Sequence, residues 1–170
     1  MTLYLSVRVL HVLSGAIWVG VAVFGAFFLL PAVKDVGPDG GKVMGALQRR
    51  GFVAFIPIIA TLTVLSGLWL YWRYTAGFNP EISRTHAGMT FGIGGLLGIT
   101  AAITAIGIVS RAMARAMKLS QAAAGMTDAH ARNEALATAQ RLRERGQIGA
   151  RVVAVLLILT ISLMAIALLL

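Results

Sequence analysis

Cysteine is absent from this chain, and acidic residues are scarce, with 6 Asp and Glu in 170 residues. Without a thiol the chain forms no disulfide, no thiolate metal site and no iron–sulfur cluster. No Asp or Glu lies in the core of a long apolar segment, which argues against a carboxylate proton relay or cation channel. There is also no phosphate-binding glycine loop, no HExxH motif and no serine–histidine–acid grouping typical of hydrolases. If the chain is an enzyme, we expect a cofactor to carry its chemistry.

Long hydrophobic runs dominate what is present. Hydrophobic residues make up 58% of the chain, charged residues 12%, and the mean hydropathy is +0.85. This composition is too apolar for an ordinary soluble domain. The length of the uncharged part of each run is close to or above the ~20 residues that a helix needs to cross a bilayer. We predict an all-α, integral membrane four-helix bundle forming one domain, 1–170, with spans at about 3–33, 43–76, 80–110 and 148–170 and a helical extension at 111–147.

Turn and capping residues mark the boundaries of these spans. Pro38 and its neighbouring glycines predict a helix stop within 34–42. Asn79, followed by a proline and an acidic residue, is typical of a helix cap and first turn. Gly125 resembles a helix stop, and Thr127 or Asp128 is expected to begin the last helix.

Basic residues are distributed unequally between the two ends of the predicted spans. Three lie at one end (Arg8, Arg73 and Arg84), and twelve lie in or beside the two connections at the other end: Lys34, Lys42, Arg49, Arg50, Arg111, Arg115, Lys118, Arg132, Arg141, Arg143, Arg145 and Arg151. The positive-inside rule then predicts cytoplasmic connections and both termini outside. The net charge of +9 is explained by contact with lipid headgroups, so no nucleic-acid partner is expected. The 111–147 hairpin is either a solvated extension or a docking surface for a partner or anionic lipid.

Two histidines, His11 and His86, lie inside the apolar segments near the same predicted membrane face. Ionisable groups within a membrane usually face the bundle interior and are functional candidates. Counted from Leu3 and Pro80, their depths differ by roughly 3 Å. Two imidazoles at one level suit a shared metal, and histidine is a standard axial ligand of haem iron. The third histidine, His130, falls in the charged hairpin and is read as a surface residue.

Other side chains near this face fit a haem b site. Arg8, Arg73 and Arg84 are candidates to pair with haem propionates, and Trp18 and Trp72 are candidate walls for a flat macrocycle. Several alternatives stay open. The tryptophans also suit an interfacial aromatic belt, and the arginines suit ordinary snorkelling. The two histidines could instead form hydrogen bonds between helices, or bind copper together with Met89.

Three motifs resemble a group of small bacterial membrane proteins. The first is Arg8-Val-Leu-His11-Val-Leu-Ser-Gly-Ala-Ile-Trp18-Val-Gly20; the others are Ser66-Gly67-Leu-Trp69-Leu-Tyr-Trp72 and Thr85-His86. The chain is similar here to the copper-resistance protein D domain, the HemJ-type protoporphyrinogen oxidases and the membrane part of certain urate-oxidising proteins. The resemblance covers about the first 110 residues. It implies a haem or metal ligand at His11 and a multi-pass location in a bacterial cytoplasmic (inner) membrane. The chain departs from the HemJ type in its long hairpin and in lacking a lysine beside His86.

The sequence therefore predicts a membrane-bound b-type haem protein that acts in electron transfer or haem-dependent oxidation. The haem would lie between His11 and His86 near the outer face, and a quinone or another redox partner would exchange electrons with it. Whether the chain is an oxidoreductase in its own right is left open. The alternatives are a non-catalytic accessory or assembly subunit of a membrane complex and a copper-handling membrane protein. The glycine-rich helix faces also suit a homo-oligomer.

Overall fold

The computed structural model describes residues 2–170 (at Pro38, the backbone alone), and helix accounts for 90% of the protein. No strand occurs within that range, so the all-α prediction is confirmed. Four helices are long and apolar enough to cross a membrane. In chain order the helices are α1 (Thr2–Asp35), α2 (Gly40–Arg49), α3 (Phe52–Tyr74), α4 (Pro80–Ser83), α5 (His86–Ala124) and α6 (Ala129–Ala167).

The four long helices pack side by side. Helix α1 packs against α3 and α6, and α5 packs against the same two helices, so α1 and α5 lie diagonally across the bundle. One core cluster joins all four of them: Trp18, Ala60, Ala101, Val153 and Leu157. Small residues at such contacts let helix backbones approach closely when apolar lipid provides no driving force for association.

The second and third spans begin later than the hydropathy pattern predicts. Gly51, with a φ of 78°, separates α2 from α3, so the membrane helix begins at Phe52 and the residues before it form a separate short helix. Pro80–Ser83 likewise forms its own short helix, and α5 begins only at His86, where Thr85 is the N-cap. Both shifts arise because average hydropathy does not register an interruption of one or two residues in a helix.

Several caps lie where the sequence predicts them. The Asn79 side chain accepts a hydrogen bond from the Glu81 amide, and Asp128 accepts one from the His130 amide. Helix α5 ends immediately before Gly125. The 34–42 segment is more helical than expected: α1 continues to Asp35, a 3₁₀ turn follows, and α2 starts at Gly40.

Helices α5 and α6 extend well beyond a membrane. Each has 39 residues, or about 58 Å at 1.5 Å per residue, whereas the hydrocarbon core is ~30 Å thick. The excess forms the predicted helical hairpin, in which α5 and α6 pack through buried small residues: Ala112, Ala116, Ala123, Ala139 and Gly146. Two π-helical segments, Gly25–Leu29 in α1 and Ala105–Val109 in α5, both pack against α6.

Candidate functional site

The His11 side chain is half-buried between α1 and α3. Its Nδ1 atom lies 2.9 Å from the Thr63 carbonyl oxygen and 3.2 Å from the Ser66 hydroxyl. Interhelical hydrogen bonding, one of the alternatives open at the sequence level, is therefore present for His11. It constrains the ring without using both of its nitrogens.

The Thr63 contact determines the tautomer of His11. A carbonyl oxygen only accepts hydrogen bonds, so Nδ1 carries the proton and donates it. In neutral imidazole the lone pair then resides on Nε2. Within residues 2–170, all hydrogen bonds of the His11 ring involve Nδ1. A histidine held through Nδ1–H to a backbone carbonyl, with Nε2 available, has the usual arrangement of a metal ligand in proteins.

Gly67 provides the space for this ring. A Cβ atom on residue 67 would lie 2.6 Å from His11 Cε1 and 3.5 Å from Nε2. The ring edge thus packs against the α3 backbone at a position where any larger residue would collide with it.

A small group of hydroxyls extends from His11 toward the bundle core. The Thr63 hydroxyl donates to Ser14 Oγ at 2.9 Å, and Ser14 Oγ donates to the His11 carbonyl at 3.3 Å. Ser66 Oγ donates to the Leu62 carbonyl at 2.6 Å. Each hydroxyl has a protein partner, so the group ties α1 to α3 at the level of His11.

His86 lies in a different environment, at the first residue of α5. It is exposed and lines a cavity of about 600 Å³ together with Tyr74 from α3, Phe91 from α5 and the end of α6. The rings of Tyr74 and Phe91 pack edge to face, with centroids 5.3 Å apart. This cavity includes no residue of α1.

The structure does not bring His11 and His86 together. His11 packs at the level of Gly67, whereas His86 lines its cavity beside Tyr74, seven residues further along α3. Seven helical residues correspond to roughly 10 Å, compared with the 3 Å predicted. The difference arises because Pro80–Ser83 forms a separate helix, which leaves His86 at the start of its span while His11 lies well inside α1.

The three arginines predicted to pair with propionates are all exposed. Arg8 lies one turn before His11 on α1, where residues at i and i+3 share a helix face. Arg73 lies in the last turn of α3, and Arg84 lies between α4 and α5. The three arginines therefore come from three different parts of the chain that lie at the same end of the bundle.

The two tryptophans predicted as pocket walls have different surroundings. Trp72 is 44% exposed near the end of α3. Trp18 is 3% exposed and belongs to the core cluster with Ala60 and Leu157. Since Trp18 lies seven residues beyond His11 along α1, it is roughly 10 Å deeper in the bundle. Its observed role is packing.

The remaining metal candidates are dispersed. Met89 is 45% exposed on α5, one turn from His86. Among the residues that the structure describes, no group of three or more His, Cys, Asp or Glu side chains is arranged to hold a metal ion.

Sequence reasoning did not identify the residues that orient His11. Thr63, Ser66 and Gly67 lie about 50 positions away along the chain, and only their placement on α3 puts them beside the ring. Ser66 and Gly67 do occur in a motif quoted above, but nothing in the sequence indicates which helix they face. Phe91 was missed as a cavity residue for the same reason.

Comparison with known proteins produced no match to a protein-family model, a curated protein or a solved structure.

Proposed function

We propose that this chain is a membrane-bound b-type haem protein that acts in electron transfer or haem-dependent oxidation, with His11 as an axial ligand. The observation that carries the proposal is the 2.9 Å contact between His11 Nδ1 and the Thr63 carbonyl oxygen. It assigns the proton to Nδ1, which leaves the Nε2 lone pair for iron. A half-buried imidazole in a membrane helix is also a functional candidate, because lipid disfavours ionisable groups.

The donor set fits a haem better than an isolated metal ion. Few carboxylates and no thiolates are present in the chain, so a divalent ion would lack the additional ligands that it needs. A porphyrin supplies four nitrogen ligands itself and requires only axial ones from the protein. When bound, the haem would supply one-electron chemistry. The protein would orient the ligand, limit water access through the surrounding apolar side chains and pair Arg8 with a propionate.

The proposal assigns the iron to His11 rather than to a His11–His86 pair. The offset of roughly 10 Å along the bundle, together with the separate surroundings of the two rings, favours one histidine ligand from this chain. Homo-oligomer formation is compatible with this arrangement, since a second copy would supply another His11.

Orientation and location belong to the same proposal. With twelve basic residues at one end and three at the other, we propose that the α5–α6 hairpin is cytoplasmic and that both termini are outside. The membrane would be a bacterial inner membrane, as in the copper-resistance protein D and HemJ-type proteins that the three motifs resemble.

The decisive experiment is an absorption spectrum of the detergent-solubilised protein, oxidised and reduced, after expression with haem supply. The proposal expects a Soret band and a pyridine haemochrome of b type in the parent protein. His11→Ala should abolish both, whereas His130→Ala, in the hairpin, should leave both unchanged. A parent protein that shows no Soret band after supplementation would refute the proposal.

The same preparation tests the role of His86. His86→Ala is expected to retain haem with an unchanged spin state. A change from a low-spin to a high-spin spectrum in this variant would instead identify His86 as a second axial ligand. Copper in stoichiometric amount without porphyrin would favour the copper-handling alternative and contradict the haem proposal.

A further inference from the structure

The cavity beside His86 has features that the haem proposal does not use. It is an open depression of about 600 Å³ at the surface of the bundle. It lies at the end of the bundle where α3 ends and α5 begins, and Ala167, Leu168 and Leu170 at the end of α6 form its third side. A cavity between helices at the end of a span is open to molecules that diffuse within the bilayer.

Two of the three polar side chains on the cavity wall, His86 and Tyr74, have no hydrogen-bond partner within residues 2–170, whereas the Thr85 hydroxyl is bonded at the start of α5. Within residues 2–170, neither ring nitrogen of His86 forms a hydrogen bond, and the same is true of the Tyr74 hydroxyl. Both side chains are exposed to the cavity rather than buried against another helix. An imidazole and a phenol can each donate one hydrogen bond to a ligand oxygen.

Apart from His86, Tyr74 and Thr85, the wall is aromatic and aliphatic. Phe91 packs edge to face against Tyr74, and Ala167 and Leu168 contribute the apolar side. No Lys or Arg is among the lining residues; Arg84, only two positions from His86, does not line the cavity. An anionic phospholipid headgroup would be expected to require such a cation.

We infer that this cavity binds the head group of a membrane quinone. A quinone head is a flat ring with a carbonyl oxygen at each of two opposite edges, so it can accept hydrogen bonds from both His86 and Tyr74. Its ring would pack against the aromatic side chains of the wall, and its apolar tail would extend past Ala167 and Leu168 into lipid. For its physiological meaning, this inference rests on the proposed redox function. It adds the identity of the electron partner, a lipid-soluble quinone.

The relation between the two sites is consistent with this assignment. His11 and the cavity are separated by roughly 10 Å along the bundle, with the last turns of α3 between them. A haem at His11 and a quinone at His86 would thus occupy separate positions, so each can be removed without removing the other.

Binding can be tested on the haem-free full chain in phosphatidylcholine nanodiscs. The probe is a benzoquinone with a decyl tail, and the signal is quenching of the chain's three tryptophans. We expect saturable quenching in the parent protein. His86→Ala and Tyr74→Phe should each weaken the affinity about tenfold, the effect of losing one hydrogen bond. Ala87→Leu, which fills the cavity and keeps both polar groups, should weaken it at least as much.

Two controls separate this inference from the haem proposal. His11→Ala should bind the quinone normally while losing haem, and His86→Ala should show the reverse. Thermal unfolding of each variant checks that the fold is intact. If His86→Ala does not fold, Tyr74→Phe replaces it as the cavity variant. Quenching that is non-saturable, or equal in the parent and in all cavity variants, would overturn the inference. Displacement of the quinone by phosphatidylglycerol at low mole fraction would assign the cavity to lipid instead.

Discussion

The imidazole ring of His11 packs edge-on against the backbone of Gly67, and a Cβ atom at that position would lie 2.6 Å from Cε1. Non-bonded carbon atoms do not approach each other this closely, so the glycine and the histidine depend on each other. The same ring donates through Nδ1 to the Thr63 carbonyl one turn earlier on α3. The position of the candidate ligand is thus determined by the α3 backbone at two adjacent turns.

Gly67→Ala is expected to displace the His11 ring and break its bond to Thr63. Overpacking of this kind costs about 1–3 kcal/mol, and the displaced Nε2 would no longer be oriented for a metal. We expect a lower midpoint in thermal unfolding and loss of most of the haem absorbance. The matched control is Gly20→Ala, on the same pair of helices, where nothing lies within 4 Å of the new Cβ. Equal behaviour of the two variants would show that residue 67 does not position His11.

Thr85→Ala is expected to destabilise the start of α5. The Thr85 hydroxyl accepts a hydrogen bond from the Gly88 amide at 3.1 Å, and loss of such a cap costs about 1 kcal/mol. Thr85→Ser retains the hydroxyl and should behave like the parent protein in thermal unfolding. Because Thr85 also lines the His86 cavity, a small loss of quinone affinity should accompany the alanine variant alone. A stability unchanged in Thr85→Ala would contradict the capping role.

Helix α6 carries two glycines, Gly146 and Gly149, that face different side chains of α5. At Gly149 a Cβ would meet Val109 Cγ2 at 2.9 Å, and at Gly146 it would meet Met113 Cε at 2.8 Å. Valine is stiff because its side chain branches at Cβ, whereas methionine moves easily. We therefore expect Gly149→Ala to lower the free energy of unfolding by about 1 kcal/mol. Gly146→Ala should be neutral or stabilising, because alanine is the better helix former; the opposite order would be inconsistent with this packing.

The proposed orientation can be tested with single cysteines, because the chain contains none of its own. Thr138→Cys places a thiol at an exposed position of the hairpin, and Glu81→Cys places one in the exposed first turn of α4. A membrane-impermeant maleimide should label Glu81→Cys in intact spheroplasts and Thr138→Cys only after lysis. Labelling in the reverse order would show that the bundle has the opposite orientation.

Hydropathy and capping patterns account for most of the fold. Four apolar segments predicted four long helices, and Asn79, Gly125 and Asp128 predicted helix ends that the structure confirms. These features are local: a helix forms and ends according to residues within a few positions of one another. Breaks at Gly51 and Arg84–Thr85 were missed because an interruption of one or two residues in a helix leaves the average hydropathy unchanged.

The candidate site was predictable only in part. That His11 and His86 are the ionisable side chains to consider follows from their rarity in apolar segments. Their relative depth does not, because it depends on where each helix begins and on the register between helices. Counting from Pro80 placed His86 within its span, whereas the fold begins α5 at His86 itself.

From composition and local patterns alone, this chain was identifiable as a helical membrane protein with two histidines of interest. Packing then determined the rest: it put His11 against Thr63 and Gly67, put His86 in a cavity with Tyr74 and separated the two rings. The physical reason is the separation along the chain between the residues that determine each feature. Helix formation and membrane insertion depend on neighbouring residues, whereas the surroundings of a side chain depend on helices that are distant in the chain and meet only after they fold.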